Sequence, residues 1–423
     1  MTRYLFALWD GGGAVAPELG AARRLIDRGH AVRVLGDPTL RDQALGIGAT
    51  FAPWVAAPHR TSADPAEDLV RDWEATNPVE GLRRMRDRLI GGPAGAMAAD
   101  TAGQIAAFSP EVVIADYFLF GAMIAAQGSG LPVAALVPNI WALPVRGVPP
   151  IAAGFPLARG PLGRARDAAL VAVVNRVFAK GLPSLNAVRA EHGLAPLPSF
   201  YDQVLTADRI LVLTSPAFDY AAPFVPGNVR YTGPVLDDPA WAEPWTPPWP
   251  DDDPRPLVLV GLTSTFQDQA ALLQRIIDAV SGLPVRAVVT TGPMLDPDSL
   301  RPADNVAIVR SAPHGPIIDR AALVVTHCGH GTTLKSLSAG VPMVCIPMGR
   351  DQDDTAARVV HHGAGVRLAP TAPVGSIRAA ITEVLARQEY RLAAARLATA
   401  INADVESSPL VAELERLARL QAA

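Results

Sequence analysis

Short apolar runs alternate with helical patterns along the first half of the chain. Strands are predicted at residues 3–9, 31–35, 111–115 and 132–137, and helices at 17–28 and 120–127. This strand–helix–strand alternation predicts an α/β fold with a parallel, doubly wound sheet. Ligands of such sheets bind beyond the carboxyl ends of the strands.

The alternation begins again after residues 237–256, a stretch rich in proline and tryptophan that predicts an extended connection. Further strands are predicted at 256–260, 286–290, 306–309, 323–326 and 343–346. With 423 residues the chain exceeds one typical core. We therefore predict two Rossmann-like domains that face each other across a cleft. Their bounds are 1–222 and 256–405, with a connection at 223–255 and a C-terminal helix at 406–423 that packs back on the first domain.

The composition limits the kinds of molecule that we expect this protein to bind. The chain is 49% hydrophobic and 18% charged, its net charge is −4, and it has no sustained basic run, so we expect no nucleic-acid partner. Its two cysteines, Cys328 and Cys345, lie in apolar segments, which predicts neither a disulfide framework nor a cysteine metal site. No apolar run approaches the roughly 18 residues of a spanning helix. We expect a soluble, cytoplasmic protein without a membrane partner, and a homodimer stays open.

The strongest chemical signal is the segment His-Cys-Gly-His-Gly-Thr-Thr at residues 327–333, between a predicted strand and a helix. Its glycines let backbone N–H groups approach an anion, its hydroxyls add donors, and the helix N-terminus supplies positive potential. This pattern predicts a phosphate site, and a diphosphate fits the pattern better than a single phosphate. Asp351 and Gln352 follow the next strand and form an acid–amide pair suited to polyol hydroxyls. Together the two features predict a nucleotide-linked sugar as ligand.

Residues 327–352 read H-C-G-x-G-T-T-L-x-x-L-x-A-G-V-P-M-V-x-I-P-x-x-x-D-Q. This wording resembles the donor-binding signature of the family 1 glycosyltransferases, which are inverting, metal-independent enzymes of GT-B fold and include actinobacterial antibiotic glycosyltransferases. The resemblance covers the last two fifths of the chain densely and the first domain loosely. It implies that the first domain binds the acceptor and the second binds the donor. It also implies a hexosyltransferase-type enzyme with no metal and no cofactor apart from the nucleotide-sugar co-substrate.

The resemblance also implies roles for residues of the second domain. The imidazole ring, backbone N–H groups and hydroxyls of the glycine-rich segment should hold the diphosphate. A loop after the first strand of this domain should assist, and another loop should hold the nucleotide base. The acid–amide pair should bind the sugar, although a helix N-cap is an alternative, and the assisting loop could be a plain ST-turn. The implied donor-binding residues are Thr263, Ser264, Ala312, His327, Gly329, Gly331, Thr332, Thr333, Asp351 and Gln352.

Two residues differ from the family pattern at positions that recognise the nucleotide. Ser311 stands where plant members have a tryptophan that stacks on the base. Lys335 stands where UDP-sugar enzymes often carry a glutamate that grips both ribose hydroxyls. A ribose without its 2′-hydroxyl does not need that carboxylate, so a dTDP-deoxysugar is favoured over UDP-glucose.

The catalytic base is the weakest point of the resemblance. The family histidine falls on Ala14, whereas the acid that orients this histidine falls on Asp116. One explanation makes Asp10 the base, with a cap of the glycine loop as its alternative role. A second makes Asp116 act directly or through a water. A third is that the acceptor needs little base, or that the protein is catalytically silent.

Two long apolar loops in the first domain, 51–58 and 138–161, predict a wall around a large apolar small-molecule acceptor. Trp54, Trp141 and Phe155 are its candidate residues, and pure packing segments are the alternative.

Two other classes of function compete with transfer of a deoxysugar to a natural-product aglycone. An NAD(P)-dependent oxidoreductase would use residues 11–13, but that loop lacks the third glycine of the dinucleotide-binding pattern. A non-catalytic nucleotide-sugar-binding partner of another transferase is suggested by Ala14. The acid–amide pair speaks against it, because a silent subunit has no need to orient a sugar.

Overall fold

Two parallel β-sheets with accompanying helices form the structure, a computed structural model that describes residues 1–145, 147–221, 225–239, 242–250 and 252–421. The predicted pair of doubly wound domains is confirmed. The expected boundary between residues 222 and 223 and the last two residues of the expected C-terminal helix lie outside the described residues.

The first sheet has seven strands in the order β3-β2-β1-β4-β5-β6-β7, all parallel. They are β1 (Arg3–Ala7), β2 (Ala31–Gly36), β3 (Thr50–Pro53), β4 (Val112–Asp116), β5 (Val133–Val137), β6 (Arg209–Val212) and β7 (Val229–Tyr231). The order reverses between β1 and β4, where Ala7 pairs with Ala115. The loop after β1 and Asp116 therefore meet at the crevice where such sheets bind ligands.

The second sheet has six parallel strands in the order β10-β9-β8-β11-β12-β13. They are β8 (Leu257–Gly261), β9 (Arg286–Thr290), β10 (Val306–Val309), β11 (Leu323–Thr326), β12 (Met343–Cys345) and β13 (Gly365–Arg367). The predicted bounds of β9, β10 and β11 agree with the structure to the residue. Here the order reverses between β8 and β11, which brings together the loops that begin at Leu262 and His327.

Helices connect the strands, and the last one returns to the first domain. In the described residues they are α1 (Val15–Asp27), α2 (Arg41–Gly46), α3 (Pro78–Met85), α4 (Ala94–Phe108), α5 (Phe120–Gly128), α6 (Pro161–Ala179), α7 (Leu182–Glu191), α8 (Asp202–Leu205), α9 (Ala270–Val280), α10 (His314–Ile318), α11 (His330–Ser338), α12 (Gln352–His361), α13 (Val374–Ala386), α14 (Gln388–Glu406) and α15 (Leu410–Gln421). Leu410, Leu414 and Leu417 of α15 share a core with Tyr4 and Phe6 of β1.

None of the described helices is by itself long and apolar enough to cross a membrane. The pair α6 and α7, bent by 50°, meets the criteria of length and composition together.

Four short strands differ from the sequence prediction. Residues 51–53 of the expected loop 51–58 belong to β3, which pairs with β2 at the sheet edge and ends at Pro53, where a missing N–H costs little. The strands β6, β7 and β13, of three or four residues each, were not predicted. The described part of the connection 237–256 contains neither helix nor strand, as expected.

Candidate active site

The glycine-rich segment forms a tight turn between β11 and α11. Cys328 adopts a left-handed conformation with φ of 65°, and its N–H donates to Thr326 Oγ1 at 3.2 Å. Gly329 then caps α11 without a side-chain hydrogen bond to the helix. The first turn of α11 therefore begins at the carboxyl edge of the sheet with N–H groups that the helix itself cannot satisfy. We call residues 327–332 the cradle.

The two glycines of the cradle have different surroundings. A Cβ atom on Gly329 would lie 2.6 Å from His327 Nε2, so the imidazole packs directly on this backbone. A Cβ atom on Gly331 would meet nothing within 4 Å. Gly329 is therefore required by the fold of the turn, whereas Gly331 leaves open space beside the helix N-terminus.

His327 is a buried residue with a neutral imidazole. Burial lowers the pKa of its imidazole to about 4, although the Gly261 backbone opposes the shift. Its Nδ1 has no hydrogen-bond partner among the described residues. An unpaired buried nitrogen is costly and rare in proteins, so it marks a place where a ligand atom would complete the site.

The two threonines of the segment point to different surroundings. Thr332 Oγ1 lies 3.5 Å from Nδ1 of His314, whose Nε2 lies 3.0 Å from Thr290 Oγ1. Burial lowers the pKa of His314 to about 4 as well, and Ala312 of the same loop is buried. Thr333 is fully buried in the core and its hydroxyl has no hydrogen-bond partner among the described residues. The structure therefore brings Thr332 to the cradle but not Thr333.

The acid–amide pair lies at the start of α12. Asp351 precedes the helix but makes no capping hydrogen bond with its side chain, and burial raises the pKa of its carboxyl. Gln352 accepts from the Met348 N–H at 2.8 Å and donates to Gln267 Oε1 at 2.7 Å. The carboxyl of Asp351 is thus available for a ligand, whereas the amide of Gln352 is already engaged.

The loop after β8 meets the glycine loop of the first domain. The N–H of Thr265 donates to Thr263 Oγ1 at 3.1 Å, which is the ST-turn weighed as the alternative for this loop. Gly12 has a φ of 70°, and a Cβ atom there would lie 2.4 Å from Thr265 Cγ2 and 3.5 Å from Ser264 Oγ. Glycine is therefore needed at residue 12, because the two domains touch at this point.

Two further contacts across the cleft were not predicted. Arg350 donates from Nε and one terminal nitrogen to the carboxylate of Asp72, both at 2.8 Å, and from the other terminal nitrogen to Thr265 Oγ1. His330 of the cradle lies 2.9 Å from Thr214 Oγ1 in the first domain. The sequence gives no signal for the Arg350–Asp72 pair, because both residues lie in loops far apart along the chain.

Asp10 is held among polar neighbours at the ends of β1 and β2. Its carboxylate accepts from Thr39 Oγ1 at 2.8 Å and from the Gly12 N–H at 3.3 Å, and Arg60 lies 3.8 Å away. These contacts occupy the oxygens that a base would offer to an acceptor. They match the glycine-loop cap, and a role of Asp10 as the base stays a prediction.

Asp116 lies deeper, next to a carboxyl that the sequence analysis missed. It is 1% exposed and accepts from the Phe118 N–H at 2.8 Å, and burial raises its pKa to about 6 against the effect of that hydrogen bond. Glu18 of α1 is 0% exposed, its oxygens have no hydrogen-bond partner among the described residues, and the charge of Asp116 acts on it. The available signal was an acid on the face of α1 that buries Val15, Leu19 and Ala22.

The three aromatic candidates for the acceptor wall do not share one surface. Trp54 is 2% exposed and its indole N–H donates to Leu8 O at 2.9 Å, whereas Trp141 is 6% exposed in the same core. Phe155 is half-buried below the guanidinium of Arg166, 4.1 Å from the ring centre. Trp54 is therefore a core residue in this structure, and the acceptor roles of all three stay predictions.

The loop that contains Trp141 and Phe155 also contacts the second domain. The N–H groups of Ala152 and Gly154 donate to the carboxyl of Asp354 in α12. Arg358 of the same helix pairs with Asp219 at 2.7 Å, and both side chains are buried. This loop therefore connects the first domain to the helix that begins next to Asp351.

Known proteins identify the family. Residues 274–417 match the family described as the erythromycin biosynthesis protein CIII-like C-terminal domain. Over 93% of its length the chain is 31% identical to 4′-demethylrebeccamycin synthase of Lentzea aerocolonigenes, of which it covers 94%. The chain belongs to the natural-product glycosyltransferases. The resemblance drawn from residues 327–352 is thereby confirmed.

Solved structures show the same fold for this glycosyltransferase. The glycotransferase of kitacinnamycin superposes with a TM-score of 0.76 at 22% identity, over 98% of this chain and 99% of the other. The glycosyltransferase VinC in complex with dTDP superposes with a TM-score of 0.66 at 18% identity, over 99% of both chains. The GT-B prediction is therefore confirmed.

Proposed function

We propose that this glycosyltransferase transfers a deoxysugar from a dTDP-sugar to an apolar natural-product acceptor, with inversion and without a metal ion. One observation carries the proposal. The neutral His327, with its unpaired Nδ1, packs on Gly329 at the α11 N-terminus, and Gly331 of the same turn leaves open space. This arrangement suits a diphosphate group.

The reaction is a single in-line displacement at the anomeric carbon. The acceptor atom attacks the face opposite the diphosphate, its bond to the sugar forms as the bond to the diphosphate oxygen breaks, and dTDP leaves with the electron pair. The helix N-terminus, the backbone N–H groups of the cradle and His327 stabilise the negative charge that develops on the leaving group. The carboxyl of Asp351 is placed to bind hydroxyls of the sugar.

The preference for dTDP rests on Lys335. Its ammonium forms an ion pair with Asp238 of the interdomain connection, and the other oxygen of Asp238 accepts from the Gly315 N–H at 3.3 Å. Both oxygens of this carboxylate are therefore engaged, and neither is free to grip two ribose hydroxyls. The dTDP found in the VinC complex supports the same choice.

Calorimetric titration with dTDP and with UDP tests the donor. We expect dTDP to bind at least as tightly as UDP, and Lys335→Glu to shift the ratio toward UDP. Lys335→Gln serves as the control, because it also breaks the pair with Asp238 but adds no carboxylate. A clear preference of the unaltered protein for UDP would contradict the proposed donor.

Ala14, which replaces the family histidine, favours a second candidate function, that of a non-catalytic nucleotide-sugar-binding partner of another transferase. Incubation with a dTDP-deoxysugar and a panel of apolar phenols and amines separates the two. Release of dTDP with a glycosylated product of inverted anomeric configuration, seen by NMR, supports the transferase. Tight dTDP binding with no release for any acceptor supports the partner.

A further inference from the structure

Glu18 and Asp116 form a buried carboxyl pair in the first domain. Glu18 lies in the first turn of α1 at 0% exposure, and Asp116 ends β4 at 1% exposure. Neither oxygen of Glu18 has a hydrogen-bond partner among the described residues, and Asp116 is the neighbouring charged group that acts on it. Two buried carboxylates in contact cannot both be ionised at reasonable cost, so one of them carries a proton.

The position of the pair connects it with the missing histidine. Ala14 caps the N-terminus of α1, and Glu18 follows four residues later on the same side of the helix. Asp116 matches the acid that orients the family histidine, and here its partner is the carboxyl of Glu18 instead of an imidazole. The Trp9 indole also lies close to Asp116, although it makes no hydrogen bond of normal geometry.

We propose that Glu18 is a positioning residue for the transfer. It holds the shared proton at neutral pH and donates it in a hydrogen bond to Asp116, which stays ionised and receives the proton of the acceptor directly or through one water. In this step the acceptor loses its proton to Asp116 as its bond to the sugar forms, dTDP leaves with the electron pair of the broken bond, and Asp116 later releases the proton to solvent. This inference rests on the proposed transferase function.

Charged groups around the pair are engaged elsewhere, so they do not replace the shared proton. Of the described residues, none with a basic side chain forms an ion pair with Glu18 or Asp116. Tyr117 lies beside Asp116 and also faces Asp351 across the cleft. The glycine loop, the connection and α15 pack against α1, and their charged groups have partners of their own. These are Asp10 with Thr39 and Arg60, Asp237 with Arg23 and Arg24, and Glu415 with Arg28 and His30.

The pKa shifts agree with this arrangement. Burial raises the pKa of Asp116 to about 6, although the Phe118 N–H and, less strongly, Glu18 oppose the shift. Burial and the charge of Asp116 raise the pKa of Glu18 well above its usual value. These directions agree with a proton on Glu18 and an ionised Asp116, as the burial of the two carboxyls requires of one of them.

Infrared spectroscopy tests the proton without any acceptor. At about pH 8, where ordinary carboxyls are ionised, the unaltered protein should show the C=O stretch of a protonated buried carboxyl, and Glu18→Gln should lack it. Asp354→Asn is the matched control, because Asp354 is another buried carboxyl whose pKa is raised to about 6, and it should keep the band. A band that persists in Glu18→Gln, or no band in the unaltered protein, would overturn the proposal.

The pH profile of kcat/KM tests the effect on the reaction. The acid limb should lie near pH 6. Glu18→Gln should keep that limb, because its amide can donate the same hydrogen bond. Glu18→Leu cannot, so its limb should move up by about one pH unit, the worth of one hydrogen bond. A loss of kcat in Glu18→Leu with an unmoved limb would indicate a purely structural role and refute the proposal. Failure of every acceptor to react would defeat the proposed function instead, and the infrared result would still decide the pair.

Discussion

Replacement of Gly331 by alanine separates ligand binding from folding. Gly331 is the second residue of α11, and its added methyl group would meet nothing within 4 Å. Alanine in a helix is favoured over glycine by about 0.5–1 kcal/mol, so the variant should melt at the same temperature or slightly higher. In the bound state, however, the methyl group would occupy the space proposed for the diphosphate. Loss of one charge-assisted hydrogen bond, worth about 1.5–3 kcal/mol, would weaken dTDP binding roughly ten- to hundredfold.

Gly375 provides a matched control for this experiment. It is the second residue of α13, and a methyl group there would also meet nothing within 4 Å. Gly375→Ala should give the same small gain in melting temperature but leave the affinity for dTDP unchanged. The assay is calorimetric titration of both variants, with thermal melts recorded in parallel. Unaltered dTDP affinity in a folded Gly331→Ala protein would show that the diphosphate binds elsewhere.

The remaining predictions concern the groups around this space. His327→Ala should weaken dTDP binding roughly ten- to hundredfold by calorimetry, since it removes the imidazole proposed to contact the diphosphate; an unchanged affinity would argue against its role. Asp116→Asn should lower turnover by about 10²–10⁴-fold, the usual worth of a general base. Asp10→Asn should act mainly on stability, because Thr39 and Arg60 lose their partner. Near-normal turnover in Asp116→Asn together with abolished turnover in Asp10→Asn would reverse these roles.

The donor site could be predicted from the sequence because its residues lie close together in the chain. A strand, a glycine-rich turn and a helix N-terminus follow one another within residues 323–332, so neighbours in the chain are also neighbours in the site. The same continuity explains why the bounds of β9, β10 and β11 were predicted to the residue. The position of Thr333 was missed, because the direction of a side chain in the first helical turn depends on what packs against it.

The acceptor side depends on contacts between distant residues. Glu18 meets Asp116 only because β1 and β4 are neighbours in the sheet, and Arg350 meets Asp72 only because the two domains close on each other. Hydrophobic patterns predict which elements exist but not which loops they bring together. Trp54 illustrates the same point, since an aromatic residue in an apolar loop can line a pocket or fill a core. Here its indole N–H donates to the carbonyl of Leu8, the residue after β1.

A crystal structure with bound dTDP tests the central claim most directly. The diphosphate oxygens should lie at hydrogen-bonding distance, about 2.7–3.2 Å, from His327 and from backbone N–H groups of residues 329–332. The thymine base of dTDP should lie beside Ala312. A diphosphate bound away from the α11 N-terminus, with His327 Nδ1 still unpaired, would contradict this claim.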